Sequence, residues 1–386
     1  MRKEYIRYFL NNTLVLIALG FITPSICIST VTPSSSLVGY GSSDAVLPAK
    51  NQELFYMGFK LGFEKNVKKE LKNSFITKQI SDGTQLGAIK SATQLINGGV
   101  KVLVGFPTSH EALLVGKYIK DAKILTIFCG AGNSDLATFG PNVFTTGESM
   151  LYGVGKMLEF INKTFNKKKG ILITNPYAVF SKNLSDTILN NKSLIEMNVD
   201  LTLMNMDQSL KLTHTDIKKL KMARYDYILM TAYADESVKI LEQLENNHLD
   251  IPIIANSSWT TGDVDFIRRF LTNRQSPSYV VTLWSPGSAQ SKPFEDAVKK
   301  QYGRIATSEI AYGYDLGVII GKTLNTVGPN ASKLEIAEAF RKIRCFDGLS
   351  SGKMCFPLKG GHVERTIGFV KFTKDGYKPV VLGAGK

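Results

Sequence analysis

Two short polar turns, each at the end of an apolar run, carry the residues best placed to do chemistry. One is Phe106-Pro107-Thr108-Ser109, after the run 100–104; the other is Gly130-Ala131-Gly132-Asn133, after the run 124–129. Thr108 with Glu111 three residues later has the spacing of a capping box, which puts a helix N-terminus at Thr108 and Ser109. Such a terminus presents unpaired N–H groups and about half a positive charge, so an anionic or carbonyl oxygen is favoured beside Ser109. Tyr233 follows the run 227–231, and Ser257 and Trp259 follow the run 251–255. Residues in strand-end turns are not committed to a core, which makes these side chains candidates for touching a ligand. Phe180, in the polar turn after 170–174, and Tyr40, in a loop of small residues, join them.

Other chemistries find little support. Gly130 to Asp135 resembles the start of a dinucleotide fingerprint, but the third glycine is missing and the turn follows the fourth predicted strand instead of the first. GxSxG, Walker A and HExxH patterns are absent. His110 adjoins Ser109 in sequence but points off another face of the helix, so it does not make a nucleophile–base pair. The four histidines (His110, His214, His248, His362) are scattered and no CxxC occurs, so neither metal nor cofactor is expected. Cys345 and Cys355 flank a turn with Gly and Ser and could bridge in an oxidising compartment, whereas Cys27 and Cys129 read as buried thiols. Asp315, within a long helical pattern, reads as a hinge or capping contact or as a cleft residue.

The chain of 386 residues is too long for one ordinary core. A net charge of +14 would suit an anionic partner, but the lysines lie in short runs without interleaved stacking aromatics, which argues against nucleic acid. Residues 1–20 read as a secretory signal: Arg2, Lys3 and Arg7, an apolar core over 13–19, and the small-residue end Ala18-Leu19-Gly20. The apolar run is shorter than the ~20 residues of a spanning helix. The expected location is therefore periplasmic or otherwise exported. An uncleaved anchor is the rival; a lipoprotein site at Cys27 has Ile26 where a small residue is wanted.

These turns require a scaffold of alternating elements. Strands are expected at 26–32, 75–80, 100–104 and 124–129, with helices at 51–65, 84–97 and 108–120. The rhythm restarts after 142–147, with strands at 170–174, 199–204, 227–231 and 251–255 separated by helices. A crossing strand is expected at 279–283, then helices at 293–301, 308–327 and 333–344, then short strands. Near-continuous apolar runs joined by helices specify parallel strands buried on both faces, hence α/β, with ligands beyond the carboxyl ends of the strands. VKVLVGFPTSHEALLV and YDYILMTAYADESVKIL share the order strand, polar turn, acidic helix start, which implies two similar doubly wound, Rossmann-like lobes.

The stretches 82–153 and 226–259, with GVKVLVG, NVFTTG and EIAYGYDLG, resemble the leucine/isoleucine/valine-binding proteins and the wider class of type I periplasmic solute-binding proteins. The resemblance runs from 26 to about 372. It implies two lobes joined by three hinge crossings, near 145–147, 281–283 and 348–356, closing on a small solute for an inner-membrane ABC permease. The N-terminal lobe would comprise 21–145 plus 283–347, and the C-terminal lobe 146–282 plus 348–386. It implies a monomer without catalysis or cofactor that binds a carboxylate-, amide- or amino-acid-like solute. A ligand-sensing receptor of the same fold, or a hydrolase built in the cleft, are the alternatives.

By position, Ser109 matches the serine that holds a ligand carboxylate, with Thr108 beside it. Ala131 and Gly132 match the next turn, whose threonine hydroxyl is lost here. Tyr233 and Phe180 match second-lobe aromatics, and Trp259 would help to cover an apolar body. Ser257 stands where the family has the glutamate that pairs with an amino-acid ammonium. Leaving a buried ammonium unpaired costs about 3–5 kcal/mol, unless Asp235 or Glu236 substitutes.

Overall fold

The structure, a computed structural model of the chain, describes residues 36–43, 52–72, 76–165, 169–260, 265–284, 291–350, 352–373 and 376–380. The expected signal at 1–20, the strand at 26–32 and Cys27 lie outside them.

In chain order, the first half runs β1 (Val38–Ser43), α1 (Gln52–Asn66), α2 (Lys69–Lys72), β2 (Ile76–Ser81), α3 (Gln85–Asn97), β3 (Val102–Gly105), α4 (Ser109–Ile119), β4 (Leu125–Phe128) and β5 (Val143–Glu148). There follow α5 (Met150–Thr164), β6 (Lys169–Thr174), α6 (Val179–Leu189), α7 (Ser193–Glu196), β7 (Asp200–Asn205) and α8 (His214–Met222). Next come β8 (Tyr227–Met230), α9 (Val238–Asn246), β9 (Ile253–Ala255), α10 (Asp265–Thr272) and β10 (Ser278–Thr282). The remainder is α11 (Lys292–Tyr302), α12 (Ser308–Val327), α13 (Lys333–Lys342), β11 (Cys345–Gly348), β12 (Gly352–Cys355), β13 (Gly361–Val363), β14 (Gly368–Thr373) and β15 (Gly376–Val380).

The first sheet has the order β13-β5-β4-β3-β1-β2, and all its pairings are parallel. The second has the order β15-β14-β10-β9-β8-β6-β7, parallel except for β14 and β15. The parallel part of each sheet therefore has its second strand outside its first, then the third, fourth and fifth in sequence. That common order puts a topological switch point between β1 and β3 in one sheet and between β6 and β8 in the other. The alternation of side chains feeds cores on both faces. Val102 and Val104 of β3 enter one cluster and Leu103 another, while Ile228 and Met230 of β8 enter a third cluster and Tyr227 and Leu229 a fourth. Both sheets are thus covered on both sides, which is why their strands read as continuous apolar runs.

Val38–Ser43, expected to be loop, is the first described strand and lies inside the sheet between β2 and β3. Its glycines made it read as a loop, yet they are required by packing. A Cβ at Gly41 would stand 2.0 Å from the Phe106 ring. Tyr40, on the other face, is fully buried against Tyr56 and Phe59, with ring centroids 4.9 and 5.4 Å away.

Helices α1 and α12 meet backbone to backbone. A Cβ at Gly58 would stand 1.9 Å from the Ile310 carbonyl oxygen, and one at Gly313 would stand 2.0 Å from that of Phe55. Short α7 and α10 were not expected from the sequence.

Three connections pass between the sheets: from β5 into α5, from β10 to the buried Leu283 and Trp284 of the first core, and from β13 to β14. The third falls later than the expected 348–356. Phe346, Met354 and Phe356 are first-core residues and β13 pairs with β5, so the chain leaves the first sheet only after Val363. The segment 348–363, expected with the second lobe, packs with the first because Met354, Phe356 and Val363 enter its core, Phe356 against the Phe144 and Phe340 rings.

Candidate functional site

The switch points select the turns after β1, β3, β4, β6, β8 and β9. After β3, Phe106 takes a left-handed backbone conformation (φ 46°), rare for an aromatic residue, and its N–H bonds the Gly41 carbonyl at 2.9 Å. This bend turns the chain into α4. Thr108 caps α4: its hydroxyl accepts from the Glu111 N–H at 3.3 Å and donates to the Glu111 carboxylate at 2.9 Å. Thr108 is therefore committed to the helix. The buried Ser109 hydroxyl makes no hydrogen bond among the described residues.

Glu111 does not close the reciprocal half of a capping box. Its carboxylate turns inward and accepts from Gln52 Nε2 at 2.9 Å and Ser81 Oγ at 3.3 Å, while Gln52 Oε1 accepts from the Ser43 N–H. The network ties the ends of β1 and β2 to the start of α4. Burial pushes the Glu111 carboxyl above the usual carboxylate range, against the lowering effect of these bonds.

The Gly130–Gly132 turn is braced from β5. Thr145 Oγ1 donates to the Ala131 carbonyl at 2.6 Å, and a Cβ at Gly147 would stand 2.4 Å from that same oxygen. Ala131 is buried, and Gly132 faces the second sheet: a Cβ there would be 3.9 Å from the Phe180 ring and 3.8 Å from the Glu148 carbonyl. Cys129 is buried as expected, its thiol pushed up to about 12 by burial.

From the second sheet, Phe180 stacks on Tyr233 with centroids 5.1 Å apart. Burial raises the Tyr233 phenol, with Glu236, Asp235 and, from the first sheet's α4, Glu111 adding to the shift. Glu236 accepts from the Tyr233 N–H at 3.0 Å and so braces its own turn; burial raises its carboxyl too, as it does that of Asp235. Helix α4 packs against α6, which brings the two sets of turns together.

A groove of about 370 Å³ of empty space lies here, lined by Gly132, Glu148, Met150, Phe180, Asn256 and Ser257, with Gly153, Val154, Met157, Leu184 and Val281 behind them. Asn256 spends its amide on the carbonyls of Thr231 and Ala232, at 2.9 and 2.8 Å, and thereby clamps the neighbouring strand end.

Of the residues proposed from sequence, Gly132, Phe180 and Ser257 line this groove, and Tyr233 abuts it through Phe180. Thr108, Ser109 and Ala131 are not among its lining residues, and neither are Tyr40 and Trp259. Both are fully buried in cores, and the Trp259 indole N–H donates to the Ala232 carbonyl at 3.0 Å. Trp259 shows why a strand-end turn is an unreliable marker: the short helical turn after β9 folds its ring back under the sheet. Glu148 was missed, since a lone acid at the end of a crossing strand has no motif.

Asp315 belongs to the connections between the sheets. It accepts from the N–H groups of Leu349 and Ser350 at 2.6 and 2.9 Å and from the Ser350 hydroxyl, which in turn accepts from Arg365. Arg365 also donates to the Thr146 carbonyl at 2.7 Å and lies 5.1 Å from the Tyr312 ring. Burial raises the Asp315 carboxyl. Nearby, Cys345 and Cys355 are directly opposed across β11 and β12 and are joined by a disulfide. Among the described residues no group of three metal-ligating side chains occurs, and no helix is long and apolar enough to cross a membrane.

Comparison with solved structures finds this fold repeatedly. A leucine-binding protein LivK from Thermotoga maritima superposes with a TM-score of 0.78 at 16% identity, covering 89% of this chain and 97% of that one. The branched-chain amino acid transporter substrate-binding protein LivJ from Streptococcus pneumoniae, in complex with isoleucine, gives 0.75 at 17%, covering 89% and 98%. A solute-binding protein of an ABC transporter from Rhodopseudomonas palustris, in complex with 3,4-dihydroxybenzoic acid, gives 0.69 at 16%, covering 90% and 98%. No curated protein matches. The family model described as periplasmic binding protein matches residues 81–377, most of the chain, and this protein belongs to that family.

Proposed function

We propose that the protein is an exported solute-binding protein which captures one small carboxylate-, amide- or amino-acid-like molecule and delivers it to an inner-membrane ABC permease. The observation that carries this reading is the groove in which Gly132 from the first sheet faces Phe180 and Ser257 from the second. Each sheet with its helices acts as a lobe: the first from β1 to β5 with residues 283–363, the second from α5 to β10 with β14 and β15. Ser109, with its free hydroxyl at a helix start, and the backbone of Ala131 and Gly132 offer polar contacts. Phe180, Tyr233 and Ser257 complete the enclosure as the lobes close. The names of the LivK and LivJ neighbours support an amino-acid-like solute, and that of the Rhodopseudomonas palustris protein an aromatic acid.

A thermal-shift screen of amino acids, aliphatic and aromatic carboxylates, amides and ureas tests the reading. Saturable stabilisation without turnover supports it, whereas turnover would support a hydrolase. Ser109→Ala weakens the bound solute by ~1–2 kcal/mol if its hydroxyl makes a contact, and an unchanged affinity removes Ser109 from the site. Capture of a receptor instead of a permease would make the protein a sensor.

A further inference from the structure

We infer that Glu148 supplies the counter-charge of the groove, and that the solute therefore presents a cationic nitrogen next to an apolar body. The inference rests on the groove being the binding site and narrows what it takes. Met150, Val154, Met157, Leu184 and Val281 are nearly inaccessible and give apolar walls, while Phe180 closes one side with a ring face. Among the lining residues, the polar side chains are Glu148, Asn256 and Ser257. Asn256 has its amide nitrogen on backbone carbonyls, and its oxygen accepts from the Ser258 N–H at 2.9 Å. Ser257 is neutral. Glu148 is the one ionisable group of the lining; lysine, arginine and histidine do not contribute to it.

The Glu148 side chain lies over Gly153, with Cγ and Oε1 3.6 and 3.9 Å from where a Cβ on that glycine would stand. Gly153 is itself a lining residue, so the carboxylate is at the wall. Among the described residues it has neither a salt-bridge nor a hydrogen-bond partner. A ligand that brings both an ammonium and an apolar body pairs with this half-buried carboxylate and covers the apolar walls beside it. An anionic solute meets the opposite situation. The acid absent at Ser257 is thus supplied from the other side of the groove, by the strand that leads from the first sheet to the second. A purely structural role is the rival: Glu148 precedes α5, where a negative charge favours the helix N-terminus.

The experiment is a titration of wild type, Glu148→Gln, Glu148→Ala and Gly132→Leu with four probes: 3-methylbutylamine, 2-phenylethylamine, leucine and 4-methylpentanoate. Gly132→Leu fills the groove from a position where a Cβ meets nothing closer than 3.8 Å, so the fold tolerates it. The inference predicts that at least one ammonium-bearing probe binds wild type and 4-methylpentanoate does not. It also predicts that Glu148→Gln weakens that probe about ten- to a hundredfold while leaving the unliganded melting temperature unchanged. Preferential binding of 4-methylpentanoate, wild-type affinity for the ammonium probe in both Glu148 variants, or silence of all ammonium probes at millimolar concentration would each overturn it. The groove reading fails separately, if a probe that binds wild type binds Gly132→Leu equally well.

Discussion

Asp315→Ala tests whether the connections between the sheets are held by one buried polar knot. Asp315 is 1% exposed and Arg365 5%, so neither group can recover its lost partner from solvent. Truncation orphans two backbone N–H groups, those of half-buried Leu349 and buried Ser350, and removes the acceptor of the Ser350 hydroxyl that Arg365 contacts. Each of the three orphaned donors costs about 1–3 kcal/mol, less in sum where the effects overlap. The expected loss is about 4 kcal/mol. Trp284 lies in the first core and Trp259 in the second, so urea unfolding followed by tryptophan fluorescence reports on both. With a slope of about 3 kcal/mol/M or more for a chain of this size, the midpoint falls by about 1 M. Ser350→Ala, which removes only the hydroxyl, costs about 1 kcal/mol. An Asp315→Ala midpoint within ~0.3 M of wild type would refute the knot.

Three other perturbations have defined outcomes. Burial raises the Glu111 carboxyl, so the folded state binds its proton more tightly than the unfolded chain does. The associated stability is present below the ordinary value of 4.5 and is lost as pH rises through the raised one, so Glu111→Gln flattens the dependence of the urea midpoint on pH across that window. Identical slopes for the two proteins would contradict this. Reducing the Cys345–Cys355 disulfide, whose cysteines are 10 residues apart, lowers stability by about 2–3 kcal/mol in the loop-entropy account; no change in the midpoint with dithiothreitol would remove the bridge from the stability argument. Gly313→Ala pushes a Cβ into the Phe55 carbonyl and forces α1 from α12, costing about 3 kcal/mol or more by thermal unfolding, whereas Gly155→Ala, with open space around its Cβ, costs little.

The scaffold was legible because buried parallel strands leave a plain record. The runs at Val102–Gly105, Leu125–Phe128 and Tyr227–Met230 are apolar on both faces and separated by helices with recognisable starts at Thr84, Thr108 and Thr213. Where the record failed, tertiary packing had overridden composition. Val38–Ser43 looks like a loop because Gly39 and Gly41 make room for Leu95 and the Phe106 ring, a constraint visible only once the strands are paired. Likewise, 348–363 has no signal of its own for which sheet it joins; the Phe144 and Phe340 rings decide it. In the site, Gly132, Phe180 and Ser257 follow from their place at strand ends. The same rule misplaced Trp259, whose indole N–H has a carbonyl to satisfy beneath the sheet, and it passed over Glu148.

The claim on which the rest depends is that a single solute lies between the two sheets, against Gly132 and Phe180. Isothermal titration with whichever probe stabilises the protein most, on wild type and on Gly132→Leu, measures this directly. The account predicts one saturable site per chain, a negative heat-capacity change and no product in wild type, with binding abolished in the variant. Undiminished binding to Gly132→Leu, or consumption of the probe, would contradict it.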